Sequence, residues 1–227
     1  LVLKRIGSTI TAGQNTAMKM LAWTEEGRQI LEEEFDVSFE DDEDNSDETI
    51  SDVKNLTTEE TELLRELVAL LEMNHDADPK YGKVLELLRR GVSKEDCGWK
   101  DRGCIIFSQY YDSAHFMAEN LSRDIKDTPI GLYAGGDKSG CWQNGEFEKK
   151  TKDEIKTLVK NRAIKVLVGT DAASEGLNLQ TLSALINLDL PWNPTRLEQR
   201  KGRIQRIGQV RDCVQIFNMR YKNSVED

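Results

Sequence analysis

The densest phosphate-binding chemistry in this 227-residue chain lies in "LEQRKGRIQRIGQ" (197–209), where Arg200, Lys201, Arg203 and Arg206 follow directly on Arg196 with only Glu198 in opposition. A guanidinium is a planar fork of N–H donors that grips phosphate oxygens two at a time, which the point charge of lysine does not do. Three-residue spacing places Arg200, Arg203 and Arg206 along one side of a helix. Gly202, beside Arg203, leaves room for a ligand to come close. A solvated basic face with surface salt bridges is the plain alternative.

A second chemically loaded stretch is "GTDAASEGLNLQ" (169–180). Thr170, Asp171 and Ser174 supply oxygens, and Gly176 allows a ligand close to the backbone. Strand-end turns of this composition also occur for structural reasons alone, so the stretch does not decide by itself.

The elements around these stretches form a regular alternation. "CIIFSQY" (104–110), "IGLYAG" (130–135), "IKVLVGT" (164–170), "ALINLDL" (184–190) and "CVQIFNMR" (213–220) are short apolar runs and read as strands. Between them, 112–125, 151–161 and 194–204 read as helices, the first capped by Asp112 and the last by Asn193 ahead of Pro194. A polar, glycine-containing loop is expected from the end of the second strand to about Phe147. Continuously apolar strands alternating with helices predict an α/β fold, an open parallel sheet with helices on both faces. Ligands then sit beyond the carboxyl ends of the strands, which directs attention to the loops after Thr170 and Leu190.

Ahead of this body, 8–34 has helical periodicity with Ser8 or Thr9 as cap. Helices are also expected over 57–73, capped by Thr57 or Thr58, and over 78–91, with Pro79 at its start and Gly91 past its end. These make a helical lead-in over 1–77 to a body over 78–227. Within the lead-in, "FEDDEDNSDETISD" (39–52) lacks the apolar content to pack, so a disordered acidic linker is expected over about 36–55. The net charge of −10 is concentrated near it. From Glu25 to Asp52 there are 14 acids against one base, and the remainder holds 27 acids and 30 bases.

At this point the motifs carry a resemblance. "VLVGTDAASEGLNLQ" and "DLPWNPTRLEQRKGRIQRIGQ", in that order, resemble motifs V and VI of superfamily 2 helicases and translocases, and "CIIFSQY" resembles the motif IV strand. The "PWNP…Q…GR…RIGQ" form is most similar to the Swi/Snf-like branch and to its bacterial members related to the RNA-polymerase-associated translocase. The resemblance covers roughly Asp78 to Asp227 and implies a RecA-like lobe. It implies that Arg203 and Arg206 are arginine fingers reaching ATP phosphates. Gly176, Asn178, Gln199 and Gly202 would lie on the nucleotide side, and Ser108 and Thr170 near a nucleic-acid strand. ATP with Mg2+ is the implied cofactor, held mainly by an N-terminal RecA-like lobe of the same polypeptide. The implied partner is nucleic acid, with Swi/Snf-like features favouring double-stranded DNA, in a cytoplasmic, nucleoid-associated setting.

Absences sharpen that expectation. There is no GxxxxGK[ST] loop and no acidic DExH-type box, and "YAGGDKSG" (133–140) has the wrong spacing for a phosphate cradle. The four cysteines form no CxxC pair, and neither His75 nor His115 stands at zinc spacing, so structural thiols in a reducing compartment and no metal site are expected. No signal-peptide pattern or run of eighteen apolar residues occurs, so no membrane partner is expected. With Leu1 at its start, the chain reads as a piece of a longer protein, the second half of a two-lobed motor. A non-catalytic module that retains the fold and holds phosphate backbone is the alternative. A dinucleotide-dependent enzyme is disfavoured, since no glycine fingerprint follows the first strand.

Overall fold

A computed structural model describes residues 2–22, 56–74, 77–92, 98–171, 177–222 and 224. The acidic stretch, and with it the expected linker, lies outside the described residues.

Seven strands form one sheet. They are β1 (Cys104–Ser108), β2 (Ile130–Tyr133), β3 (Gly140–Gln143), β4 (Glu146–Lys149), β5 (Val166–Thr170), β6 (Ala184–Asn187) and β7 (Gln215–Asn218), in the order β4-β3-β2-β5-β1-β6-β7. From β2 to β7 every pairing is parallel. The register sets Ser108 beside Thr170, and Phe107 beside Asn187, at the carboxyl ends of the central strands. All residues of β1, β5 and β6 are buried, as continuous apolar runs require when both faces are covered.

The period-2 pleat sorts those side chains between two layers. Cys104, Ile106, Val166, Val168 and Ile186 pack on one face, against Val84, Leu87 and Leu88 of α4 (Pro79–Arg90) and Met117 and Leu121 of α6 (Tyr111–Asp124). Ile105, Phe107, Leu167 and Leu185 pack on the other, with Ile155 and Val159 of α7 (Lys152–Lys160) and Ile204 of α8 (Pro194–Ile204). This is the open α/β sandwich that the alternation of elements predicts.

The sheet is not purely parallel. Gly140–Gln143 and Glu146–Lys149 form an antiparallel hairpin where a loop to about Phe147 is expected. The signal was present: Asn144-Gly145 joins the strands with φ of 55° and 83°, the left-handed pair that suits a two-residue hairpin turn. Trp142 is buried and stacks 4.3 Å from Phe147. Gly145→Ala is expected to destabilise the lobe by about 1–2 kcal/mol, because an L side chain resists that φ. Chemical denaturation of the purified chain measures it, and an unchanged midpoint would argue against the turn.

Among the described residues the lead-in holds three helices, α1 (Val2–Ser8), α2 (Ile10–Ala22) and α3 (Thr58–Met73), sharing a small core of Val2, Ala17 and Leu64. Helix is present from Val2, ahead of the expected start, and it breaks at Thr9, whose side chain accepts the Ala12 N–H at 3.1 Å to cap α2. Thr57 and Glu60 form a reciprocal capping box on α3, and Asp78 caps α4 ahead of Pro79. Asp112 is not a cap. The N-cap of α6 is Tyr110, and Asp112 falls in the first turn, where a carboxylate still complements the helix dipole. A four-residue helix α5 (Trp99–Arg102) precedes β1 and buries Trp99 completely.

Candidate functional site

The carboxyl ends of β1, β5 and β6 converge on one side chain, Arg200. It is 1% exposed, and every N–H of its guanidinium is engaged. Nε donates to Asp171 Oδ1 at 2.6 Å and Nη2 to Asp171 Oδ2 at 2.7 Å, a bidentate pair. Nη1 donates to Asn187 Oδ1 at 2.9 Å and to the Asp189 carbonyl at 3.0 Å, and Nη2 also reaches Asp189 Oδ1 at 3.4 Å. The Phe107 ring lies 5.4 Å from the guanidinium carbon. Burial alone would lower the pKa of Arg200, but the Asp171 hydrogen bonds and the charges of Asp189 and Asp171 outweigh it and hold the value above its ordinary level. Arg200 is therefore locked as a fixed cation at the root of α8.

That arrangement corrects the expectation that three arginines share one side of α8. Three residues turn a helix by about 300°, so each step drifts about 60° round the axis. Arg200 faces the sheet, and Arg203, one step on, is half-buried. The helix ends at Ile204 with Gln205 as its cap, so Arg206 lies beyond it in an exposed turn. Among the described residues neither Arg203 nor Arg206 makes a side-chain hydrogen bond or ion pair. Arg203 is near enough to the Tyr133 hydroxyl for its charge to oppose the rise that burial imposes there.

The other expected residues are placed unevenly. Asn178 is exposed and bonds to Gln180, whose amide in turn donates to the Ile207 carbonyl, and Leu179 N–H donates to the Arg203 carbonyl at 3.2 Å. The 177–180 segment is thus laced to the segment carrying Arg203 and Arg206. Gln199 and Gly202 are exposed, and a Cβ at Gly202 would meet nothing within 4 Å, so the approach is open. Gly176 and Ser174 lie outside the described residues. Thr170 is 5% exposed at the tip of β5. Ser108 is fully buried, with its hydroxyl donating to Asp189 Oδ2 at 2.6 Å.

The model of the helicase conserved C-terminal domain matches residues 83–208, more than half of the chain. The chain belongs to this helicase C-terminal domain family. It is 53% identical over 128 residues to the uncharacterized ATP-dependent helicase YqhH of Bacillus subtilis, covering 56% of this chain and 20% of that protein. It is 53% identical over 47 residues to the RNA polymerase-associated protein RapA of Vibrio atlanticus, covering 21% of this chain and 5% of RapA. The C-terminal part of the Fun30 ATPase domain shares the fold, with a TM-score of 0.51 and 19% identity, over 94% of this chain and 62% of that one. The superfamily 2, Swi/Snf-like resemblance read from the motifs is borne out, and the chain spans a fifth or less of these two curated relatives.

Within this helicase lobe, several residues that shape the site were not singled out from sequence. Asn187 and Asp189 are the clearest. Both sit in the quoted "ALINLDL", and a polar side chain inside an otherwise apolar strand run was the available signal, because buried polar groups need built partners. A cavity of about 610 Å³ also opens beside the start of α7, lined by Gly136, Asp137, Ser139, Lys149, Lys150 and Lys152. Its three lysines follow one another where the hairpin runs into α7, and Thr151 and Glu154 complete the lining. No helix among the described residues is long and apolar enough to cross a membrane.

Proposed function

We propose that this chain is the second motor lobe of an ATP-dependent nucleic-acid translocase, acting on double-stranded DNA. The observation that carries the reading is the division of labour among three arginines of one motif. Arg200 is consumed inside the fold, whereas Arg203 and Arg206 have no hydrogen-bonded or ion-paired side-chain partner among the described residues. Arginine held ready in this way suits the charge that develops on a phosphoryl group in transfer.

The ATP would be bound by an N-terminal RecA-like lobe, and Arg203 and Arg206 would close on its phosphates from this side, with Gly176, Asn178, Gln199 and Gly202 nearby. The Mg2+ that accompanies ATP would be held in that other lobe as well. When bound there, it neutralises phosphate charge. This chain contributes cationic donors and the surface that meets nucleic acid, for which Thr170 and the cavity lysines Lys149, Lys150 and Lys152 are the candidates.

The 227-residue chain alone is expected to show no DNA-stimulated ATP hydrolysis above background, because it has no P-loop lysine and no magnesium-holding acidic box. Phosphate release from highly purified chain, with and without duplex DNA, tests this. Sustained stimulated turnover that co-purifies with the chain would overturn the reading. A purely nucleic-acid-binding module predicts the same inactivity, but it also predicts that the full-length protein carries no P-loop upstream and does not hydrolyse ATP.

A further inference from the structure

The break between α1 and α2 is inserted against Asp189, in the loop that leads to the finger helix α8. Ser8 and Thr9, at the break, are both fully buried. The Ser8 hydroxyl donates to Asp189 Oδ2 at 2.6 Å, lies 2.7 Å from Ser113 Oγ, and lies 3.0 Å from Ser108 Oγ. Thr9 Oγ1 lies 2.9 Å from Ser113 Oγ, which extends the chain of hydroxyls. Lys80, 3% exposed, bridges the neighbouring backbone by donating to the Gly7 carbonyl and, at 2.6 Å, to the Leu188 carbonyl. Gly7-Ser8 of the lead-in and Leu188-Asp189 of the loop before α8 are therefore tied twice, side by side.

Asp189 is the hub. It is 3% exposed, and besides the two serine hydroxyls its carboxylate accepts the Gln109 N–H at 3.0 Å and Arg200 Nη2 at 3.4 Å. An uninterrupted hydrogen-bonded path thus runs from Ser8 through Asp189 and Arg200 to Asp171, joining the lead-in to both motif-bearing segments. Arg203 follows Arg200 by one turn of a rigid helix, so the angle at which Arg200 is seated fixes where Arg203 stands.

From this geometry we infer that Ser8 is a positioning residue for ATP hydrolysis, holding Asp189 and through it the seat of the finger helix. The inference rests on the proposed motor-lobe function. Its reach is large for a residue outside the matched domain: the lead-in is a working part of the active-site frame as well as a connector. The effect would fall on kcat, because fingers act on charge present only in the transition state, whereas ATP itself is held elsewhere.

The test uses the full-length protein, assayed for duplex-stimulated ATP hydrolysis as Ser8→Ala, Arg203→Ala and Thr16→Ala. Thr16 is a buried hydroxyl of α2 that bonds only to the Ala12 carbonyl, at 2.8 Å, and reports general damage to the lead-in. Ser8→Ala is expected to lower kcat about tenfold with the KM for ATP within about twofold, since small misplacements of catalytic groups cost ten- to a hundredfold. Thr16→Ala is expected to keep its kcat. Should the alanine variant fail to fold, Ser8→Cys, nearly isosteric but a weaker donor, is read by the same criterion. A kcat within twofold of wild type for the folded Ser8 variant, or an equal loss in Thr16→Ala, overturns the inference while leaving the function intact if Arg203→Ala is inactive. If Arg203→Ala is fully active, the motor-lobe reading itself fails.

Discussion

Arg203→Ala in the full-length protein is expected to reduce ATP turnover by roughly 10³–10⁵, with nucleotide affinity nearly unchanged. Two features set the size. Arg203 has no hydrogen-bonded or ion-paired partner among the described residues, so its guanidinium is available to a ligand. It also belongs to a helix whose base is pinned by five hydrogen bonds through Arg200, so its placement costs little reorganisation during reaction. Folding should barely register the change, because a half-exposed side chain without such partners contributes only about 0.5 kcal/mol or less. Arg203→Lys should recover little, since an ammonium cannot reproduce the fork. Arg206→Ala should show the same split, and a difference between the two variants ranks their contributions. The measurement is steady-state hydrolysis beside equilibrium binding of a non-hydrolysable ATP analogue. Loss of analogue binding in proportion to turnover would reassign the arginines to a structural role.

The parts of this site that sequence disclosed were those whose chemistry is local. The fold was legible because each central strand is an unbroken apolar run, and the helix start at Asn193-Pro194 because capping depends on adjacent residues. Asn193 does accept the Thr195 N–H, at 2.9 Å. The hairpin has a local signal too, in Asn144-Gly145, but Glu146–Lys149 is short and mostly charged, all four residues lie in exposed positions, and the apolar alternation that marks a strand is missing. What spacing could not reveal was the division among the arginines. Arg200 and Arg203 are the same residue type three positions apart, and their fates differ because Asp171 and Asp189, 29 and 11 residues from Arg200, meet at the carboxyl ends of the inner strands. The buried Ser8 is more remote still, bonded to a carboxylate 181 residues along the chain. No pattern in its own neighbourhood marks it as anything other than a helix cap.

Arg200→Met is expected to behave in the opposite way from Arg203→Ala, with its main effect on stability. Removing the guanidinium leaves the carboxylate of Asp189, 3% exposed, without its cation, although Ser8, Ser108 and Gln109 still donate to it, and takes the Arg200 hydrogen bonds from Asp171 and Asn187. Breaking a buried pair from one side costs about 3–5 kcal/mol, because the charge left behind stays desolvated. Against a typical total of about 5–15 kcal/mol, that is a large share, and thermal unfolding should move down by on the order of 10 °C. Arg200→Lys restores the charge but at most three donors, so it should recover only part of the loss. The decisive control is Arg200→Met combined with Asp171→Asn. Two groups in direct contact are coupled, and removing the facing charge should make the double variant lose less than the sum of the singles. Strict additivity, or a single-variant cost below about 1 kcal/mol, would mean that the network is filled in by water and does not seat the helix. Measured on the isolated chain, this separates the arginine that builds the site from those that serve it, independently of any catalytic assay.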